Sequence, residues 1–335
     1  MSFTSIPIVA TAIAIVISWA LFAILCSLIQ EGIAQIKAER GRFMKHYLLQ
    51  QLQDFPNGVN WASLLYLHGS VDLLSRAHNK PTSEITPRLF AETLIDVVGK
   101  SQIVQKDSNL VSQFVGYQHP TLASFKSATM LLNPSDVVTL FRQALNSAEL
   151  SAVPRRGEPL NETLIYSNLV ANLESWYADF TGRLNIWYKK KTRYWLFFIG
   201  IITGTLLNVD TVQLFTYYLH EPAARQVMIS YYEKDSSTLT AYAQRLDTAG
   251  LSRNVDSVRN DIKNYTHNMQ QLITEATLPV GWEYNIFHQA RFVKPGTRTS
   301  FYSWKIIGLL LTGFAASLGA PFWFDLLRRA YSKKV

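Results

Sequence analysis

Three stretches of the chain are almost wholly apolar, and much of the remainder repeats its apolar residues at helical spacing. Ile6–Ile29 reads IPIVATAIAIVISWALFAILCSLI, 24 residues without a charge, and a helix needs about 20 such residues to cross a bilayer core. Ile306–Phe324 supplies 19 more, and Tyr194–Leu219 carries a single charge, Asp210. The pattern predicts transmembrane helices over 6–30, 194–219 and 305–327. For the middle run the competing reading is a buried core helix of a soluble domain. Its basic flank KKKTRYW and the aromatics Tyr194, Trp195, Tyr217 and Tyr218, which suit a membrane interface, favour a span.

Between the spans the period is helical. EGIAQIKAERGRFMKHYLLQQLQDF carries Ile33, Ile36, Phe43, Tyr47 and Leu48 on one face and predicts a long helix leaving the first span, broken near Pro56-Asn57-Gly58. Thr86 before Pro87, with Gly99 further on, marks a capped helix start and a stop. Another helix is expected from Ser135 and Asp136, and GEPLNETLIYSNLVANLESWYADFTGRLNIWYKKK reads as a long helix feeding the second span. Loops are expected around Asn79–Ser83 and Val153–Pro159. Past the second span, Pro222 opens a helical pattern, and Val255, Val258, Ile262, Tyr265, Met269 and Leu272 form an apolar stripe. Packing on a neighbouring helix explains the stripe; a partner-binding coiled coil is the alternative. No strand alternation of any length and no internal repeat is present.

Charge adds orientation. Lys and Arg total 32 against 24 Asp and Glu, a net +8. Thirteen of the 32 bases cluster beside the apolar runs, among them Lys37, Arg40 and Arg42 after the first, Lys189, Lys190, Lys191 and Arg193 before the second, and Arg328 and Arg329 after the third. Because cytoplasmic loops concentrate Lys and Arg, all three clusters place the N-terminus outside and the C-terminus inside. The expected order is a short outer N-terminus (1–5), a helical cytoplasmic domain (31–193), a smaller helical extracytoplasmic domain (220–304) and a basic cytoplasmic tail (328–335). Away from the clusters the chain is net negative and lacks a recognition motif, so nucleic acid is not an expected partner. Membrane lipid and further protein subunits are.

Motifs for catalysis are missing. There is no phosphate-binding glycine loop, no HExxH, no Cys/His metal spacing and no Gly-x-Ser-x-Gly elbow. The seven histidines are scattered. Cys26, the single cysteine, lies inside the first apolar run, where a small apolar filler is expected. A lipoprotein signal ending there would set bulky Leu25 where a small residue belongs, without the usual basic start. No catalytic residue, cofactor or metal site is predicted, and an enzyme is not the expected class.

The candidate site lies inside the membrane. Asn208, Asp210, Thr211 and Gln213 fall in the middle and outer half of the second span, opposite Thr312, Ser317, Gly319 and Pro321 of the third. Polar groups at this depth usually face protein or water, and small residues allow close helix approach. Polar contacts between helices are one reading, a proton or ion relay through Asp210 the other. Antiparallel packing would bring Asn208 to the depth of Thr312–Ser317. Asp325 is expected to pair with Arg328 or Arg329.

At LLNVDT (206–211) and SLGAPFWFDLL (317–327) the chain resembles an uncharacterised family of bacterial inner-membrane proteins. Leu25-Cys26-Ser27, WYKKKTRYWLFFIG and Leu278-Pro279-Val280-Gly281-Trp282 carry the same resemblance, which implies a bacterial inner-membrane location and no particular activity. The expectation is therefore an all-α membrane protein acting as an interaction or scaffold subunit that links partners across the bilayer. The alternative is an oligomeric channel, transporter or membrane-damaging effector, since three spans per chain are too few to enclose a pathway.

Overall fold

The computed structural model describes residues 7–75, 77, 80–82, 84–101, 118–153, 161–248, 255–281 and 298–332. The outer N-terminus 1–5, most of the Val153–Pro159 loop, Trp282, Lys333 and Lys334 lie outside the described residues. The described residues form helices joined by turns, with one two-stranded ladder and an isolated bridge between Ala77 and Lys80, and the chain falls into two compact units, Ala38–Tyr188 and Met1–Lys37 with Lys189–Val335.

The Ala38–Tyr188 unit contains α2 (Glu39–Gln51), β1 (Gln53–Asp54), β2 (Val59–Asn60), α3 (Trp61–Leu67), α4 (Gly69–Asp72), α5 (Pro87–Gly99), α6 (Pro120–Leu131), α7 (Asp136–Ser151) and the first part of α8 (Glu162–Leu206). The helix starts are set locally. Thr86 accepts from the amide of Leu89, Ser135 from that of Val138 and Asn60 from that of Ser63, each relieving amides that have no partner inside the first turn. The antiparallel strands pair Gln53 with Asn60 and Asp54 with Val59 across a turn containing Gly58 at φ 64°, too short a ladder to leave an alternating pattern. Trp61, Phe90, Phe125, Phe141 and Tyr177 fill the core. Phe90 stacks on Tyr177 at 4.1 Å, and Trp61 meets the edge of Phe141 at 5.8 Å. Asp54, buried, accepts from the Trp61 indole (3.0 Å) and from Asn57 (2.9 and 3.0 Å).

In the other unit, α1 (Pro7–Ile36) is long and apolar enough to cross a membrane. The helix expected to continue from it is interrupted instead: α1 ends at Ile36, and Ala38 adopts left-handed backbone at φ 47° before α2. Around α1 stand the end of α8, α9 (Thr211–His220), α10 (Pro222–Thr248), α11 (Val255–Glu275), α12 (Arg298–Leu318) and α13 (Ala320–Ser332). Two of the three runs expected as straight spans are broken. Between α8 and α9 the axis turns by 59°, and between α12 and α13 by 87° at Gly319, whose φ is 79°. A side chain is strained at that φ, so glycine marks the corner, with Pro321 just beyond it.

The α11 stripe packs on a neighbouring helix, and that helix is α1. Val258 and Ile262 lie at Gly32, and the Tyr265 hydroxyl donates to the Leu21 carbonyl at 2.7 Å. At the other end of α1, Arg225 of α10 donates to Thr11 at 3.4 Å. Among the described residues, α10 and α11 both pack along α1.

Candidate functional site

The site is built on the break between α8 and α9. The Val209 amide donates to the Gly204 carbonyl (2.8 Å) and the Asn208 amide to that of Thr205 (3.2 Å), with Asn208 at φ 53°. This paired closure around one left-handed residue ends a helix without leaving its last carbonyls empty, and asparagine tolerates it better than most side chains. Two residues later Asp210 starts α9, its Oδ1 accepting from the amides of Val212 (2.8 Å) and Gln213 (3.3 Å).

These local choices bring polar groups together in an otherwise apolar bundle. Lys305 of α12 sets its Nζ 3.1 Å from Asp210 Oδ2 and donates to Gln213 Oε1 at 3.3 Å. Both charged side chains are buried, 9% and 5% exposed. Next to the pair, the hydroxyls of Thr211 and Thr312 lie 2.9 Å apart, Thr312 donates to the carbonyls of Gly308 (2.9 Å) and Val209 (3.3 Å), and the Trp19 indole donates to Thr211 at 3.1 Å. Asn208 turns elsewhere: its side chain donates to the Gly281 carbonyl at 2.9 Å while the Gly281 amide donates to Leu207.

Glycines make the approach close enough. A Cβ on Gly308 would collide with the Asp210 carboxylate, one on Gly200 would fall 2.6 Å from Ala316, and one on Gly313 2.6 Å from Ile201. Gly200 and Gly204, four residues apart on α8, face Ala316, Gly313 and Thr312 of α12, the small-residue spacing that lets helices touch backbone to backbone.

Of the expected site residues, Asp210 and Gln213 meet α12 at Lys305, and Thr211 meets it at Thr312. The Asn208 side chain donates to the Gly281 carbonyl, and Ser317 bonds back to its own helix at Phe314. Gly319 and Pro321 form the corner between α12 and α13 and lie outside the polar cluster. Lys37, Arg42, Lys189, Lys190, Arg193, Arg328 and Arg329 are exposed, Arg40 and Lys191 half-buried. Arg328 pairs with Asp325 at 2.9 Å.

Lys305, Gly308 and Trp19 escaped the sequence reading, as did Arg225. The last is buried and donates to the carbonyls of Tyr218 (2.7 Å) and Leu219 (3.3 Å), putting a cation on the carbonyl end of α9. The Gly200-x-x-x-Gly204 spacing was a readable signal; nothing local marked Lys305 or Arg225.

Asp210 spends its oxygens on two backbone amides and one ammonium, which makes the cluster a closed ion pair and helix cap. Among the described residues no group of three His, Cys, Asp or Glu could hold a metal ion. Comparison with known protein families, curated proteins and solved structures finds no match to this chain.

Proposed function

We propose that this protein is a membrane-anchored interaction subunit of a bacterial inner-membrane complex, with its N-terminus outside and its C-terminus inside. The observation that carries the reading is a belt of exposed large apolar side chains: Trp195, Phe198, Ile202 and Leu206 on α8, with Ile306, Leu310 and Phe314 on α12. So large an apolar surface marks contact with lipid or protein. In this reading α1 is one crossing and each bent pair is one more; by length and composition α1 alone qualifies, and up to three do if each bent pair is one span. The Ala38–Tyr188 unit has a filled core of its own and is the part that reaches partners in water. It exposes Leu64 and Leu67 on α3, with Leu73 and Leu74 just past α4.

Two measurements test the proposal. Carbonate extraction should leave the protein in the membrane, and a reporter inserted at residue 150 should face the cytoplasm. Purification in mild detergent should retain partner subunits or further copies. Release by carbonate defeats the anchor, and a strictly monomeric particle defeats the interaction role.

A further inference from the structure

Among the described residues, α10 and α11 pack on α1 rather than closely on each other. Helices that meet directly bury apolar stripes, but the facing sides of these two are largely polar. They border an open groove of about 390 Å³, within the size range of small-molecule sites. Tyr231, Lys234 and Asp235 reach it from α10, at i, i+3 and i+4. Asn268, Leu272 and Glu275 reach it from α11, at i, i+4 and i+7. Each helix therefore turns one face to the groove. Leu272 is buried, and with half-buried Val227 it gives the groove an apolar patch.

The charges that line the groove do not cancel. Two carboxylates, Asp235 on α10 and Glu275 on α11, stand against one ammonium, Lys234. Among the described residues these three groups form no ion pair with one another. The two carboxylates act on a common neighbour. Burial raises the pKa of the Tyr231 phenol, and Asp235 and then Glu275 raise it further. Acids from two different helices thus bear on one hydroxyl, beside an aromatic ring and an apolar patch.

We propose that the α10–α11 groove binds a small organic cation, a primary ammonium on a short apolar stem. The ammonium pairs with Asp235 and Glu275 through charge-assisted hydrogen bonds, and the Tyr231 ring adds cation–π attraction. The stem covers Leu272 and Val227, where each methylene removed from water adds to affinity. Lys234 opposes the cation, so the net preference comes from the second carboxylate. An anion meets the reverse balance and is rejected. The inference concerns the α10–α11 pair alone and does not depend on whether α1 crosses a membrane.

The test uses the full chain purified in mild detergent, with n-butylammonium, n-butyrate, n-butanol and the zwitterion norvaline as probes read by saturation-transfer NMR. Butylammonium should saturate one site, and neither butyrate nor butanol should displace it. Glu275→Gln and Asp235→Asn should each weaken it at least about tenfold, the effect of one lost bond to a charged group. Lys234→Met should tighten it about threefold by removing a like charge. Lys234 and Glu275 are exposed, so their variants should melt with the parent, which separates loss of the site from loss of the fold. Binding that does not saturate, equal binding of butyrate, or an affinity unchanged in Glu275→Gln overturns the site. Norvaline that outcompetes butylammonium, and loses that advantage in Lys234→Met, overturns the cation class in favour of an amino acid.

Discussion

Replacing Lys305 by Met should destabilise the α1 unit through the carboxylate it leaves behind. Asp210 is 5% exposed with the ammonium at 3.1 Å, and removing one partner of a buried pair costs about 3–5 kcal/mol. The amides of Val212 and Gln213 still solvate Oδ1, so the loss belongs at the lower end, about 3 kcal/mol. For a cooperative unit of this size that corresponds to a fall in Tm of about 6–12 °C. Asp210→Asn keeps a cap acceptor for α9 but strands the ammonium with Gln213 alone, and should also destabilise. The double variant Asp210→Asn/Lys305→Met has no charge left to strand, so it should fall short of the summed single losses by about 2–3 kcal/mol. Reversible unfolding of the four proteins in one detergent closes the cycle. Single losses that simply add, or a Lys305→Met protein that melts with the parent, would refute a directly coupled buried pair.

Three further outcomes follow from the packing. Gly308→Val should disrupt the α9–α12 contact by at least about 3 kcal/mol, since its first carbon meets the Asp210 carboxylate, whereas a valine at Gly182, where no atom lies within 4 Å, should leave melting nearly unchanged. Asp54→Ala should cost about 1–3 kcal/mol by leaving the Trp61 indole without an acceptor, seen as an earlier denaturant midpoint for the Ala38–Tyr188 core. Burial pushes the Tyr66 and Tyr177 phenols well above the ordinary range, with a smaller push on each from Tyr177 and Glu84 respectively. Both stay protonated in the fold after their unfolded counterparts ionise near pH 10. Their contribution is therefore intact below about pH 10 and is lost progressively above it; phenolate absorbance for these two tyrosines should appear only with unfolding.

Features held by near neighbours are legible in the sequence. The Thr86 and Ser135 caps, the long helix through residues 162–206 and the α11 stripe each depend on residues a few positions apart. The breaks had local marks as well, Asn208 followed by Asp210 and Gly319 followed by Pro321, but a hydropathy window averages over them. What stayed out of reach was non-local. Lys305 bonds to Gln213 across 92 positions and Trp19 to Thr211 across 192, and no spacing rule connects them. That the α11 stripe would cover α1 was hidden for the same reason: an amphipathic face announces that it is covered without naming the cover.

The break between α8 and α9 also imposes an order of assembly. Asn208 waits 73 residues for the Gly281 carbonyl, and Gln213 waits 92 for Lys305. At about 5–20 residues per second of synthesis, the polar end of α8 emerges seconds before its lasting partners exist. During that interval its groups must be held by water or by other protein, so the nascent chain is most vulnerable after its second apolar run and before its third.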